Sequence, residues 1–376
     1  MAKIIIAGDF VPGARVEKLI DEGRYADIFE QVVPFTSRAD YSIVNLEAPV
    51  ADGTDIEPIE KYGPNLRCSE KAIDALKYAG FDMVTLANNH FYDYGDNGVE
   101  RTLAACKERG VDTVGGGMSI DEASKILYKE IDGLKIAFIN CCENEFSIAT
   151  SQSGGSNPLN PIQQYYDITS AKKNADKVIV IVHGGHELYQ LPSPRMKEVY
   201  RFFIDAGADA VVNHHQHCYS GYEEYKGCPI FYGLGNFCFD ITPTEVDTLW
   251  NYGYMVELDV DYNRITYELI PYNQCSNSPT VQILPSDALA NELEQLNVVI
   301  CDDTLLQVAI AKYYKECERY ERNLLEPYNG RIFKKMFSMK LLPRFVSGMK
   351  KYAILNHVEC ESHRDKLIFA LKNMKE

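Results

Sequence analysis

The chain has 376 residues, 46% of them hydrophobic and 24% charged, the composition of a folded globular protein rather than a disordered one. That length accommodates one large α/β domain, or one domain with an appendage of about 100 residues. A formal charge of −16 opposes non-specific binding to nucleic acid or to an acidic membrane, because long-range repulsion acts against both.

The first apolar run, Ile4-Ile5-Ile6-Ala7, is short and leads straight into Gly8-Asp9, so it reads as a first strand rather than an export leader. No stretch approaches the roughly 20 apolar residues of a membrane span, and a cytoplasmic location with no transmembrane segment is expected. Strands are expected at 3–7, 41–46, 83–87, 135–140, 177–182, 208–212 and 229–232. Their near-continuous apolar character suits strands covered on both faces. Their alternation with amphipathic segments points to βα units and a largely parallel sheet. Helices are expected over 69–79, opened by Ser69 as a cap, and over 98–109 and 193–206, each stopping before a glycine. Residues 143–166, rich in Ser, Gly, Asn, Pro and Gln, read as a long loop over a site or a mobile lid. Period-two alternation at 254–259 and 264–271, around Asp261-Tyr262-Asn263, reads as a closing hairpin.

From about Ser286 the pattern is helical, and residues 331–376 carry eleven Lys/Arg against four Asp/Glu. The expected division is a domain over 1–275 and a helical C-terminal extension over 286–376 with a basic tail. Such a tail either folds back onto the acidic body or docks a partner or membrane surface. Its apolar anchors would be Ile332, Phe333, Met336, Phe337, Leu341 and Phe345, with Pro343 interrupting any long helix. The eleven cysteines, odd in number and without a Cys-x-x-Cys pair, are expected to be reduced, with Cys141-Cys142 buried in a strand.

Six of the eight histidines fall in three short clusters: His90; His183 with His186; and His214 with His215 and His217. Each cluster closely follows an apolar strand, as do Asp9 and the pair Asn45/Glu47. In an open α/β sheet the loops beyond the carboxyl ends of strands meet on one rim, where ligands bind. Five strands thus deliver Asp9, Glu47, Asn89, His183, His215 and His217 to one edge, the pattern of a metal site. Taken singly, each has an ordinary alternative: a helix cap for Asp9, a turn for Asn88-Asn89, a satisfied core imidazole for His183. In an extended segment His215-x-His217 would present both rings on one side. His186 and His214 are spare and are expected beside the ligands or at the surface. Carboxylate, amide and imidazole without thiolate suit Mn²⁺, Fe²⁺ or catalytic Zn²⁺ better than structural zinc or Ca²⁺. Six donors exceed the needs of one tetrahedral ion, so one or two divalent ions are expected, a bridging carboxylate being the simplest arrangement.

The runs Ile-Ala-Gly-Asp9-Phe, Asn45-Leu-Glu47, Leu-Ala-Asn88-Asn89-His90 with Asp93-Tyr-Gly95, His183-Gly-Gly-His-Glu187, His214-His215-Gln-His217 and Gly233-Leu-Gly-Asn236-Phe237 occur in that order. Together they resemble the CapA-type capsule (poly-γ-glutamate) synthesis proteins, a branch of the calcineurin-like metallophosphatases, over roughly residues 1–275. The resemblance implies an α/β fold, a four-layer α-β-β-α sandwich with the helical appendage behind it. It also implies that Asp9 and His217 serve one metal, that Asn89, His183 and His215 serve another, and that Glu47 bridges them. His90 would protonate a leaving group or steady the transition state. Asn45, Asn88, Asp93, His186, Glu187 and Asn236 would orient ligands or meet substrate. Arg15 either grips a substrate phosphate or carboxylate or serves the surface. Two residues depart from the wider pattern: Val11 stands where the superfamily has a further histidine, and Asn213 where many relatives have glycine. The expected activity is hydrolysis of phosphoester or related ester or amide bonds on an anionic small molecule or polymer. A capsule or poly-γ-glutamate biosynthesis factor and a non-catalytic metal-bound module are the alternatives.

Overall fold

In the computed structural model, residues 1–53, 56–240, 248–325, 327, 328, 330–359, 363, 367 and 371 are described. They form two compact units, Met1–Leu306 and Gln307–Glu376.

Alternation along the first strand, Ala2–Val11, sets up the architecture of the first unit. Ile4 and Ile6 join one buried cluster while Ile5 and Ala7 join another, because successive side chains leave a strand on opposite faces. The Ile4/Ile6 cluster holds Ile43, Met83 and Val256 of one sheet and Phe138, Ile179, Ile181 and Val212 of a second, so two sheets pack face to face. The Ile5/Ala7 cluster takes Val16, Ile20, Ile73, Leu76 and Val99 from helices Ala14–Asp21, Lys71–Tyr78 and Gly95–Glu108 on the outer face of the first sheet. Helices Pro161–Asn174 and Pro194–Ala206 cover the second sheet. This is the four-layer α-β-β-α sandwich, with two sheets where the alternating pattern pointed to one.

The first sheet runs Val281–Ile283, Ile265–Gln274, Tyr252–Val260, Ala2–Val11, Tyr41–Leu46, Met83–Thr85, Asp112–Val114, with Asn236–Phe239 also paired to Ala2–Val11. The second runs Tyr222–Tyr225, Cys228–Phe231, Ala210–His214, Lys177–His183, Leu134–Cys142, Leu127–Ile131. Neither is purely parallel: the closing hairpin joins Ala2–Val11 antiparallel, and Leu127–Ile131 and Tyr222–Tyr225 are antiparallel edges. The parallel strands of both sheets end at the same rim.

Residues 143–166 are not one long loop. They contain the strand Gly155–Ser156, paired with Gly116–Gly117, and the start of Pro161–Asn174. Asn160 caps that helix, accepting from Ile162 N and Gln163 N, and Pro161 occupies its first turn. Asn-Pro there is a helix start rather than a loop breaker. Ser69 does not cap its helix; its Oγ is buried without a hydrogen-bond partner. Ser193 does cap Pro194–Ala206, which ends on Gly207 at φ 118°. The first unit also extends past residue 275, through strand Val281–Ile283 and helix Ala290–Cys301, which packs on Tyr222–Tyr225. Cys141 and Cys142 are buried, and the described cysteines are free thiols. Among the described residues no helix is long and apolar enough to cross a membrane.

Candidate metal centre

Asp9 lies within its strand rather than in the loop beyond it. The register slips on both sides there, between Ile6 and Asp9 against Tyr41–Leu46 and between Asp9 and Phe10 against Asn236–Phe239. Such an irregularity re-aims a side chain, and here it turns the Asp9 carboxylate to the rim. The preceding Gly8 is required by close approach: a Cβ would sit 1.9 Å from the Gly235 carbonyl oxygen. Val11 packs in the outer hydrophobic cluster. Glu47 follows Tyr41–Leu46 directly, Asn89 and His90 follow Met83–Thr85, and His183 ends Lys177–His183.

His215 and His217 follow Ala210–His214, but not as an extended pair. Their φ values are +89° and +53°, left-handed backbone that non-glycine residues seldom adopt. The turn still brings both rings to the site, with centroids 6.0 Å apart. Strain of this kind persists where the surroundings fix it, and it clusters at functional sites.

Ligand atoms of Glu47, His183 and His215 lie within 4.8 Å of one another, as do those of Asp9, Glu47 and His217. Glu47 is common to both groups. Its Oε1 is 3.3 Å from His183 Nε2 and 3.8 Å from His217 Nε2, while His217 Nδ1 is 3.6 Å from Asp9 Oδ2. His215 Nδ1 and Asn89 Oδ1 each lie 3.0 Å from His183 Nε2. Burial, and then the neighbouring Glu47, hold the Asp9 carboxyl well above its ordinary pKa, and burial raises Glu47. Burial, and then the other imidazoles, push His183 and His215 well below theirs. Neither oxygen of Glu47 has a hydrogen-bond partner, although the residue is fully buried. A carboxylate stripped of water and of donors is costly unless a cation stands beside it, and this donor set fits a divalent ion.

A layer of neighbours fixes these groups. Asn45 Nδ2 donates to Asp9 Oδ1 at 2.7 Å and lies 3.3 Å from His183 Nδ1. The His215 backbone N–H donates to Asp9 Oδ2 at 3.1 Å, and His217 Nδ1 is 2.9 Å from Asn236 Oδ1. Asn88 donates to the Leu46 carbonyl and accepts from the His90 N–H, clamping the turn that presents Asn89 and His90. His90 Nδ1 lies 2.6 Å from Asp93 Oδ2, which leaves Nε2 as the nitrogen available to a reacting group. His214 instead turns Nε2 to the Ala7 carbonyl oxygen at 3.1 Å. His186 and Glu187 sit on the loop after His183, the first partly buried and the second exposed; desolvation lowers the imidazole and raises the carboxyl.

Arg15 spends its donors within the fold. Its Nε and Nη2 donate to Asp240 Oδ1 at 2.9 and 2.6 Å, and its remaining donors reach the Ser276 and Cys275 carbonyls at 3.0 and 2.7 Å. Those partners come from chain more than 220 residues away, beyond the reach of local pattern. Asn213 is more than a glycine substitute: its Nδ2 donates to the carbonyls of Gly184, His214 and Tyr232, and its Oδ1 accepts from Tyr200 at 2.6 Å.

Two residues at the site carry no expectation from sequence. Glu145 Oε1 lies 3.8 Å from His215 Nε2, the ring nitrogen opposite the one that faces His183. It follows the carboxyl end of Leu134–Cys142, so the strand-end rule that picked the histidines points to it too. Lys61, from a segment without regular structure, buries its ammonium on Asp93 and 3.2 Å from His90 Nδ1. Nothing in its neighbourhood of sequence marks it.

The chain is 35% identical over 243 residues to the capsule biosynthesis protein CapA of Bacillus anthracis, covering 62% of this chain and 59% of that protein. It is 35% identical over 237 residues to the PGA biosynthesis protein CapA of Bacillus subtilis (strain 168), covering 62% of each. The chain thus spans about three-fifths of the length of these relatives. Among solved structures, a phosphatase from Mycoplasma pneumoniae is 18% identical with a TM-score of 0.45, over 76% of this chain and 95% of that one, a likeness too loose to build on. The family model described as bacterial capsule synthesis protein PGA_cap matches residues 3–241, the stretch that holds Asp9, Glu47, Asn89, His183, His215 and His217, and the chain belongs to that family.

Proposed function

We propose that the protein is a metal-dependent hydrolase of phosphoester or related ester or amide bonds, working with one or two divalent ions of the Mn, Fe or Zn type. The observation that carries this reading is the Glu47 carboxylate, fully buried, without a hydrogen-bond donor, and faced by His183 and His217. Asp9 and His217 would hold one ion, Asn89, His183 and His215 the other, and Glu47 would bridge. Divalent ions in such a site supply Lewis acidity and make water nucleophilic near neutral pH.

The chain's own residues do the rest. Asn236 holds His217 by the ring nitrogen turned away from the ion, which fixes ring orientation, and Asn45 holds the Asp9 carboxylate. Asp93 holds His90 by Nδ1, so Nε2 delivers a proton or a hydrogen bond to the leaving oxygen. A purely structural ion would need no such histidine beside it. With Val11 in the core, the Asp9/His217 position has one imidazole only and is the weaker of the two. Free thiols suit a reducing compartment such as the cytoplasm.

A second reading, handling or assembly of an anionic polymer such as poly-γ-glutamate by the same site, is favoured by the capsule and PGA names of the relatives. The first test is elemental mass spectrometry on the purified protein with His183→Ala beside it. About one to two equivalents of Mn, Fe or Zn are expected, reduced in the variant. Protein that stays metal-free after Mn²⁺ addition would sink both readings. Loaded protein then goes to phosphoester, ester and polyglutamate substrates, and turnover of the polymer alone selects the second.

A further inference from the structure

The second unit, Gln307–Glu376, contains the helix Arg331–Ser338. At about 3.6 residues per turn, Ile332, Phe333, Met336 and Phe337 share one face, and Arg331, Lys334, Lys335 and Ser338 the opposite one. Ile332 is 74% exposed and Phe333 54%. The apolar residues continue beyond the helix with Leu341, Phe345 and Met349, all exposed. Between residues 331 and 352 the chain holds seven Lys/Arg and not one Asp/Glu. Helix Arg331–Ser338 therefore sets an apolar face, on which Ile332 and Phe333 are exposed and Phe337 packs against Tyr328, opposite a cationic one.

We propose that residues 331–352 dock the protein on an anionic lipid surface. The apolar face would enter the headgroup boundary while the cations meet lipid phosphates, the arrangement of a helix lying in the interface plane. Charge complementarity selects this occupant. Nucleic acid would use the cations but leave four apolar residues at helical spacing without a role. A neutral interface would use the apolar face but not a run of seven cations. The whole-chain charge of −16 does not oppose this docking, because exposed charges more than about 8 Å away are screened at physiological ionic strength. The local balance decides, and it reverses the expectation drawn from the total. The proposal is independent of turnover at the metal centre.

The test is co-sedimentation of the full-length protein with vesicles of phosphatidylcholine alone or mixed with phosphatidylglycerol. Binding is expected only to the anionic vesicles, weakening as salt rises. Lys334→Gln with Lys335→Gln is expected to lower the partition constant about thirtyfold, at about fivefold per cation. Ile332→Ser with Phe333→Ser is expected to lose binding with metal content and circular dichroism unchanged. Absence of binding to anionic vesicles, equal binding to neutral ones, or binding untouched by both double variants would overturn the proposal. So would capture of soluble polyglutamate by this segment without vesicle binding, which would assign the face to an acidic polymer.

Discussion

The Lys61 ammonium ends on the Asp93 carboxylate with side-chain exposures of 2% and 0%, a buried ion pair directly behind His90. Asp93 also accepts from the Leu66 N–H at 2.6 Å, so one carboxylate ties a loop cation, a loop backbone and the His90 ring together. Lys61→Met is expected to lower turnover about 10–100-fold, the usual effect of removing an outer partner, while metal content stays at the wild-type level. It should also cost roughly 3–5 kcal/mol of stability, because Asp93 is left buried without its cation. Steady-state kinetics and thermal denaturation check the two parts. Unchanged stability would mean that the pair is not buried in solution.

His90→Ala separates catalysis from binding. It should cost about 10²–10⁴ in kcat with the ions retained, since the ring bonds Asp93 rather than completing either ligand group. Metal analysis run beside the kinetics decides, and equal loss of metal would make His90 a ligand.

Glu47→Gln should behave in opposite ways with and without metal. In metal-free protein it removes a buried carboxylate that has no donor, so stability should hold or rise. With Mn²⁺ or Zn²⁺ added, wild-type Tm should rise, by about 2.7 kcal/mol of stabilisation at a hundredfold excess over Kd, and the variant should show little rise. A thermal shift titration reads both, and equal shifts would remove Glu47 from the site.

Arg15→Ala should lower stability by about 1–3 kcal/mol, since Asp240 Oδ1 and two carbonyls lose their guanidinium donors while Oδ2 keeps the backbone N–H groups of residues 15 and 16, and leave KM unchanged. A raised KM at unchanged Tm would restore Arg15 to the substrate.

Asn213→Gly is expected to cost about 1–3 kcal/mol and to weaken metal retention. Three carbonyls, including that of Gly184 beside the ligand His183, lose their shared donor. Metal dialysis against a chelator should therefore strip the variant faster than the wild type.

What the sequence determined by itself was the set of groups that meet. Apolar runs followed by Asp9, Glu47, Asn89, His183, His215 and His217 are local features, and parallel strands must leave their carboxyl ends on one rim. The closing hairpin and Pro194–Ala206 were legible for the same reason, a period and a cap readable within a few residues. Tertiary structure alone decided the rest. It split the strands between two sheets, as the motif resemblance implied but the alternation did not show, because either face of a wholly apolar strand can be the inner one. It placed His215 and His217 in left-handed backbone, conformations held by packing rather than by their own preference. It tied Arg15 to Asp240 and brought Lys61 and Glu145 to the site, through partners distant in sequence. Side-chain contacts across such separations follow from the closed fold, and no local pattern encodes them.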